Sequence, residues 1–192
     1  MERVIEGTII GINGPIIRAR GLAGISMLDI AEVGPDKLIG EVIKLDGDIA
    51  FVQVYEDDTG LKPGDTITSS GRPLSVLLAP GLISNIYDGI QRPLVDIAKI
   101  LGSYIKKGVK VSPLDTGRKW DFTPTAKEGD EVREGAELGE IRETESVIHR
   151  VMVPPGVSGK LSFLAGAGSY DITEEIYRVK GGNEHGGKLA TY

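Results

Sequence analysis

The residues from Gly182 to Lys188 carry the glycine spacing and the lysine with which a phosphate-binding loop cradles a nucleotide. That chemistry also needs a Ser or Thr hydroxyl for Mg²⁺ directly after the lysine, and Leu189 stands there. A helix must follow such a loop, yet only three residues remain after Leu189, and no convincing strand closely precedes Gly182. The segment therefore reads as a flexible turn. Glu56-Asp57-Asp58 is the densest acidic run, but it lacks the spaced ligands, turn glycine and terminal glutamate of a calcium loop. It reads as a solvated strand end. His149 and His185 lie 36 residues apart in a chain with no cysteine, which is a poor basis for zinc. His149, between Ile148 and Arg150, reads as an ordinary strand residue. No Ser/His/Asp set has a recognisable local context, and no carboxylate pair can be identified from spacing. On the residues alone, then, the catalytic, cofactor-binding and metal-binding sets are all empty.

Composition narrows the class. The 192 residues suit one large domain or two small ones. A hydrophobic fraction of 40% supports a core, and an aromatic fraction of only 5% makes that core aliphatic. With 27 glycines the chain has many turns, which favours β-structure. The absence of cysteine excludes disulfides and thiolate chemistry and fits a cytosolic setting. A net charge of −6 argues against a nucleic-acid face. No run of 18 apolar residues exists, so no membrane span is expected. The opening Met1-Glu2-Arg3-Val4 has neither the basic flank nor the apolar stretch of a signal peptide.

The elements follow from turn punctuation. Over residues 1–73, short β-rich runs alternate with breaks. Ile5 to Ile12 ends at Asn13-Gly14-Pro15. Lys37 to Leu45 and Asp48 to Tyr55 flank Asp46-Gly47, a strong hairpin signal. Lys62-Pro63-Gly64-Asp65 suits a type II turn. Strands at this spacing predict a small closed barrel. Residues 74–109 form a connector in which Leu94, Ile97, Ala98, Leu101 and Ile105 recur at helical spacing. A helix is expected over about 93–107, with Pro93 in its first turn and Gly108 as its C-terminal cap. Residues 110–180 return to β-structure around Trp120, and 181–192 form a flexible glycine-rich tail. The fold class is thus mainly β: an N-terminal barrel and a second barrel-like domain joined by a helical connector.

Two family resemblances add to this reading. From Glu128-Gly129-Asp130-Glu131-Val132 through Glu143-Thr144-Glu145 to Gly159, the chain resembles a lipoyl or biotinyl carrier domain. Such domains present a lysine at a hairpin tip, but Ser146 follows Glu145 and the nearest downstream lysine is Lys160. A lipoyl-like barrel remains the expectation, with a stand-alone carrier or adaptor as the alternative function. The second resemblance covers nearly the whole chain. The run Leu74 to Leu94, with Asp88-Gly89-Ile90-Gln91-Arg92-Pro93-Leu94 its most specific part, resembles the segment preceding the nucleotide-binding domain in the catalytic A-subunit of archaeal and vacuolar-type rotary ATPases. Gly7 to Ile17, Gly40-Glu41-Val42-Ile43 and Val52 to Glu56 resemble the N-terminal barrel of that protein. Trp120-Asp121-Phe122-Thr123-Pro124 and Val151 to Gly156 resemble its inserted bulge.

The resemblance implies an ATP-hydrolysing or ATP-synthesising subunit of a proton- or sodium-linked machine, peripheral on the cytoplasmic membrane face. Three such catalytic subunits would alternate with three non-catalytic B subunits in a hexameric ring held by the barrels, and the bulge would point towards a peripheral stalk. ATP and Mg²⁺ would be cofactors of the parent protein. The family's P-loop lysine and threonine, catalytic glutamate and adenine-stacking aromatics have no matching positions here, so no catalytic residue carries over and this chain alone is expected to be inactive. The apolar stripe of Leu94, Ile97, Leu101 and Ile105 would then lack its usual partner, and is expected to dock on the chain's own barrels, to self-associate or to lose order.

Overall fold

The structure, a computed structural model, describes residues 4–102, 107–182 and 184–190. The chain forms two compact units, one of Met1–Ser75 with Asp96–Val111 and one of Val76–Val95 with Ser112–Tyr192. Within the expected connector 74–109, residues 76–95 fall in the second unit and the remainder in the first.

The first unit is a closed six-stranded barrel of β1 (Ile5–Asn13), β2 (Ile16–Arg20), β3 (Asp29–Val33), β4 (Leu38–Asp46), β5 (Ile49–Val54) and β6 (Thr66–Pro73), in the order β1-β2-β5-β4-β3-β6. All neighbours are antiparallel, and β6 pairs with both β1 and β3 to close the ring. Alternation drives closure. Along β1, Ile5, Gly7, Ile9 and Gly11 face inward while Glu6, Thr8 and Ile10 face out. The core is aliphatic, with Ile9, Ile17, Leu38, Val52 and Ile67 completely enclosed. Two polar side chains lie within it. Asp29 accepts a hydrogen bond from the Ser26 N–H at 2.7 Å, and Ser69 Oγ donates to the Ile30 carbonyl at 2.7 Å. The hairpin expected at Asp46-Gly47 forms one residue out of frame. Asp46 pairs with Ile49, so Gly47 and Asp48 make the turn, and only Gly47 takes a positive φ, of 61°. The Lys62 to Asp65 turn closes as expected, with the Asp65 N–H on the Lys62 carbonyl at 3.1 Å and Gly64 at φ 98°.

The second unit holds two four-stranded sheets. One runs β10 (Ile148–Met152), β9 (Glu137–Arg142), β7 (Trp120–Pro124), β12 (Gly168–Tyr170). The other runs β14 (Glu184–Lys188), β13 (Glu175–Lys180), β11 (Gly159–Leu164), β8 (Glu131–Val132). Trp120, Phe122, Leu138, Ile141, Leu161, Ile176 and Val179 form one buried cluster. Phe122 meets Tyr170 edge-to-face at 6.2 Å. The tail is where the expectation fails. Residues 184–188 form β14, paired antiparallel with β13, and Leu189 is buried. A Glu-His-Gly-Gly-Lys run has almost no intrinsic strand propensity, so its order comes from pairing with β13.

The helix is also shorter than expected. α1 spans Leu94–Leu101, and Gly102, at φ 79°, closes it through its N–H to the Ala98 carbonyl at 2.9 Å. The glycine at the helix end is thus Gly102 and not Gly108. Ile97 is fully buried, Leu94 and Leu101 are half-buried and Ala98 is exposed; Ile105 lies outside the described residues. No helix among the described residues is long and apolar enough to cross a membrane.

Candidate functional site

The best-organised non-sheet region is the segment 76–95, lodged on the second unit by side chains that replace sheet pairing. The Gln91 side chain mimics a strand. Its Oε1 accepts the Leu77 N–H, and its Nε2 donates to the Leu77 carbonyl, each at 2.7 Å. Asp88 folds the next turn. One carboxylate oxygen accepts the N–H groups of Ile90 (3.1 Å) and Arg92 (2.9 Å), and the other takes Arg92 Nε at 2.7 Å. Burial alone would raise the Asp88 carboxyl, but the Arg92 backbone and side-chain bonds, with the Ile90 N–H, outweigh it and hold the group below the usual carboxylate range. From the β9–β10 turn, Glu143 Oε1 accepts the N–H groups of Gly81 (2.7 Å) and Ile83 (3.1 Å). The Tyr87 hydroxyl donates to the Pro113 carbonyl at 2.9 Å. Ala79 enters the core beside Leu114 and Trp120, whose ring is covered on one face by Arg118 at 3.9 Å. These bonds hold a loop in a fixed path.

The other residues singled out from the sequence are dispersed. Gly182 lies between β13 and β14, and Gly187 and Lys188 lie in β14 with no helix after them among the described residues. Lys188 faces Glu175 in the pairing register. Glu56 and Asp57 follow β5. Glu56 accepts the Gly108 N–H at 2.9 Å, while Asp57 caps its own turn through the hydroxyl (2.6 Å) and N–H (3.0 Å) of Thr59. His149 sits half-buried in β10, where burial lowers its pKa despite the opposing charge of Glu143. His185 lies in β14 with its ring 6.3 Å from that of Tyr177. Among the described residues, no three His, Asp or Glu side chains converge as metal ligands. Glu143-Thr144-Glu145-Ser146 does occupy the turn between β9 and β10, closed by Glu143 and Thr144 N–H groups on the Val147 carbonyl. What sequence reasoning missed is that Glu143 points at a loop sixty residues earlier. The Asp88–Arg92 spacing was a readable cue, and the Glu143 contact had none.

Comparison with known proteins accounts for both units. Residues 9–71 match the family model for the β-barrel domain of the ATP synthase alpha/beta family, and residues 111–191 match that for the barrel-sandwich domain of the ATP synthase alpha/beta subunit. The chain is 46% identical over 187 residues to an A-type ATP synthase A-subunit of Methanopyrus kandleri, covering 96% of this chain and 32% of that one. It is 50% identical over 179 residues to the A-type ATP synthase A-subunit of Hyperthermus butylicus, covering 92% and 30%. It is 46% identical over 175 residues to a V-type ATP synthase alpha chain of Acetivibrio thermocellus, covering 91% and 30%. The chain belongs to the ATP synthase alpha/beta family. The two family domains leave residues 72–110 unassigned, yet the ATP synthase relatives align across most of the chain, including segment 76–95. The chain spans about a third of the length of these ATP synthase relatives.

Proposed function

We propose that this chain is the barrel and bulge portion of the catalytic subunit of an A/V-type rotary ATP synthase or ATPase. The whole machine would couple ATP synthesis or hydrolysis to proton or sodium transport. The observation that carries the reading is the 46–50% overall identity to these ATP synthase relatives, over alignments that cover 91–96% of this chain. In this reading the barrel, residues 1–73, helps hold a hexameric ring of catalytic and non-catalytic B subunits. The unit from residue 110 onward is the inserted bulge on the peripheral-stalk side, and the complex lies on the cytoplasmic face of its membrane. ATP and Mg²⁺ bind elsewhere in the parent protein, and this chain contributes structure with no catalytic, cofactor or metal residue of its own. The near-match at Gly182 to Lys188 supports that division, since its Gly187 pairs with Tyr177 in a strand pair.

A chimera tests the reading. These residues replace the corresponding third of the Hyperthermus butylicus relative, which is then co-expressed with its non-catalytic B partner. The expected result is a mixed ring with ATPase activity. A folded chimera that stays apart from B contradicts it.

A further inference from the structure

Residues 107–110 cross the first unit without joining a strand. Among the described residues, no backbone–backbone hydrogen bond ties them to the barrel. Their attachments are polar and come from three places on the barrel. Lys107 Nζ donates to the Thr59 carbonyl beyond β5 and lies 3.2 Å from Asp36 in the β3–β4 turn. The Gly108 N–H donates to Glu56 Oε2 at 2.9 Å. Lys110 Nζ donates to Glu32 in β3, whose carboxylate also lies 3.5 Å from Lys37. Burial alone would raise the Glu32 carboxyl, but Lys110 and then Lys37 outweigh it and keep it below the ordinary range. The seat itself is shaped for glycine. Gly108 takes φ 69°, and a Cβ there would stand 2.5 Å from the Asp36 carbonyl oxygen. No side chain in 107–110 is fully buried; Val109 is half-covered.

We propose that residues 107–110 form a releasable polar strap, seated on the finished barrel by charge and able to open while the barrel stays folded. The reasoning is a contrast of forces. Six strands of aliphatic burial hold the barrel, and salt scarcely weakens them. Exposed ion pairs hold the strap, each weak alone and screened within a few ångströms at molar salt. Local opening that exposes little apolar surface costs far less than global unfolding. The strap therefore sets where the chain leaves the barrel, and sets it reversibly.

Residue-resolved amide exchange on the full chain, in 50 mM and in 1 M NaCl, tests this. The Gly108 amide is expected to exchange about tenfold faster in 1 M salt, on the scale of one charged hydrogen bond. Core amides such as Val33, Val42 and Val52 are expected to keep their rates. The Lys107→Gln/Lys110→Gln double variant should show the faster rate already in 50 mM salt and lose most of the salt response. A Gly108 rate unchanged by salt overturns the proposal. So does a rate that moves in step with the barrel core, since the strap would then be part of the cooperative unit. Because the salt arm uses the unaltered chain, failure of the variant to fold does not remove the test.

Discussion

The ring of Tyr177 lies where a side chain at position 187 would project: a Cβ there would come within 1.9 Å of the ring. Gly187 is therefore required by packing between β13 and β14, and not by a phosphate. Replacing Gly187 by Ala overfills this contact and should cost about 1–3 kcal/mol. Trp120, the sole tryptophan, reports on the same unit, so urea unfolding followed by its fluorescence reads the loss directly. An unchanged midpoint would mean that the ring moves aside freely. Asp88 makes a pH prediction. Its folded pKa lies below the unfolded value, so its contribution is fully present above about pH 4 and is lost as pH falls through the folded pKa. The stability gap between the native chain and Asp88→Asn should be open at pH 6 and should narrow on acidification below about pH 4. A gap independent of pH would remove the carboxylate from the account. His149 runs the other way in charge. Burial favours its neutral form, so its NMR titration midpoint should fall below about 6.5. At this scale the sequence was readable where partners are near in the chain, as in the Lys62 to Asp65 turn. It was silent where they are far, as with Glu143 and Gly81, because nothing local marks a contact made by tertiary folding.

Among the elements, α1 shows how far periodicity carries. The spacing of Leu94, Ile97 and Leu101 identified a helix and its inward side, and Ile97 is indeed fully enclosed. The end was misplaced because two glycines, Gly102 and Gly108, can each terminate a helix, and only the three-dimensional path distinguishes them. Gly102 caps the helix while Gly108 seats a strap. The two isoleucines offer a matched comparison. Ile97→Ala removes buried volume and should cost about 2–5 kcal/mol, whereas Ile100, 67% exposed, should tolerate Ala within about 0.5 kcal/mol. Chemical denaturation of both variants checks this, and equal losses would place the helix face wrongly. β14 was invisible for the opposite reason. Its residues Glu184 to Lys188 have no alternating pattern, and the strand exists because β13 offers an edge. In the barrel, β1, β4 and β5 announce themselves through alternation and turn residues, with a single-residue shift at Asp46-Gly47, whereas β3 and β6 were not delimited from the sequence.

For the whole molecule, the chain holds two separate cores, one in each unit. Both units are built from glycine-punctuated antiparallel strands. The family resemblance was legible from runs spread through the chain, and in segment 74–94 the residues that carried it are tied down locally, Gln91 to Leu77 and Asp88 to Arg92. The ring role proposed for the chain was not legible, because no local pattern marks a surface that another chain covers. We propose that this chain, as part of an A/V-type catalytic subunit, carries architecture and leaves nucleotide chemistry to the rest. Isothermal titration of the chain with Mg-ATP tests it most directly. The account predicts no saturable heat; binding with micromolar affinity would contradict it.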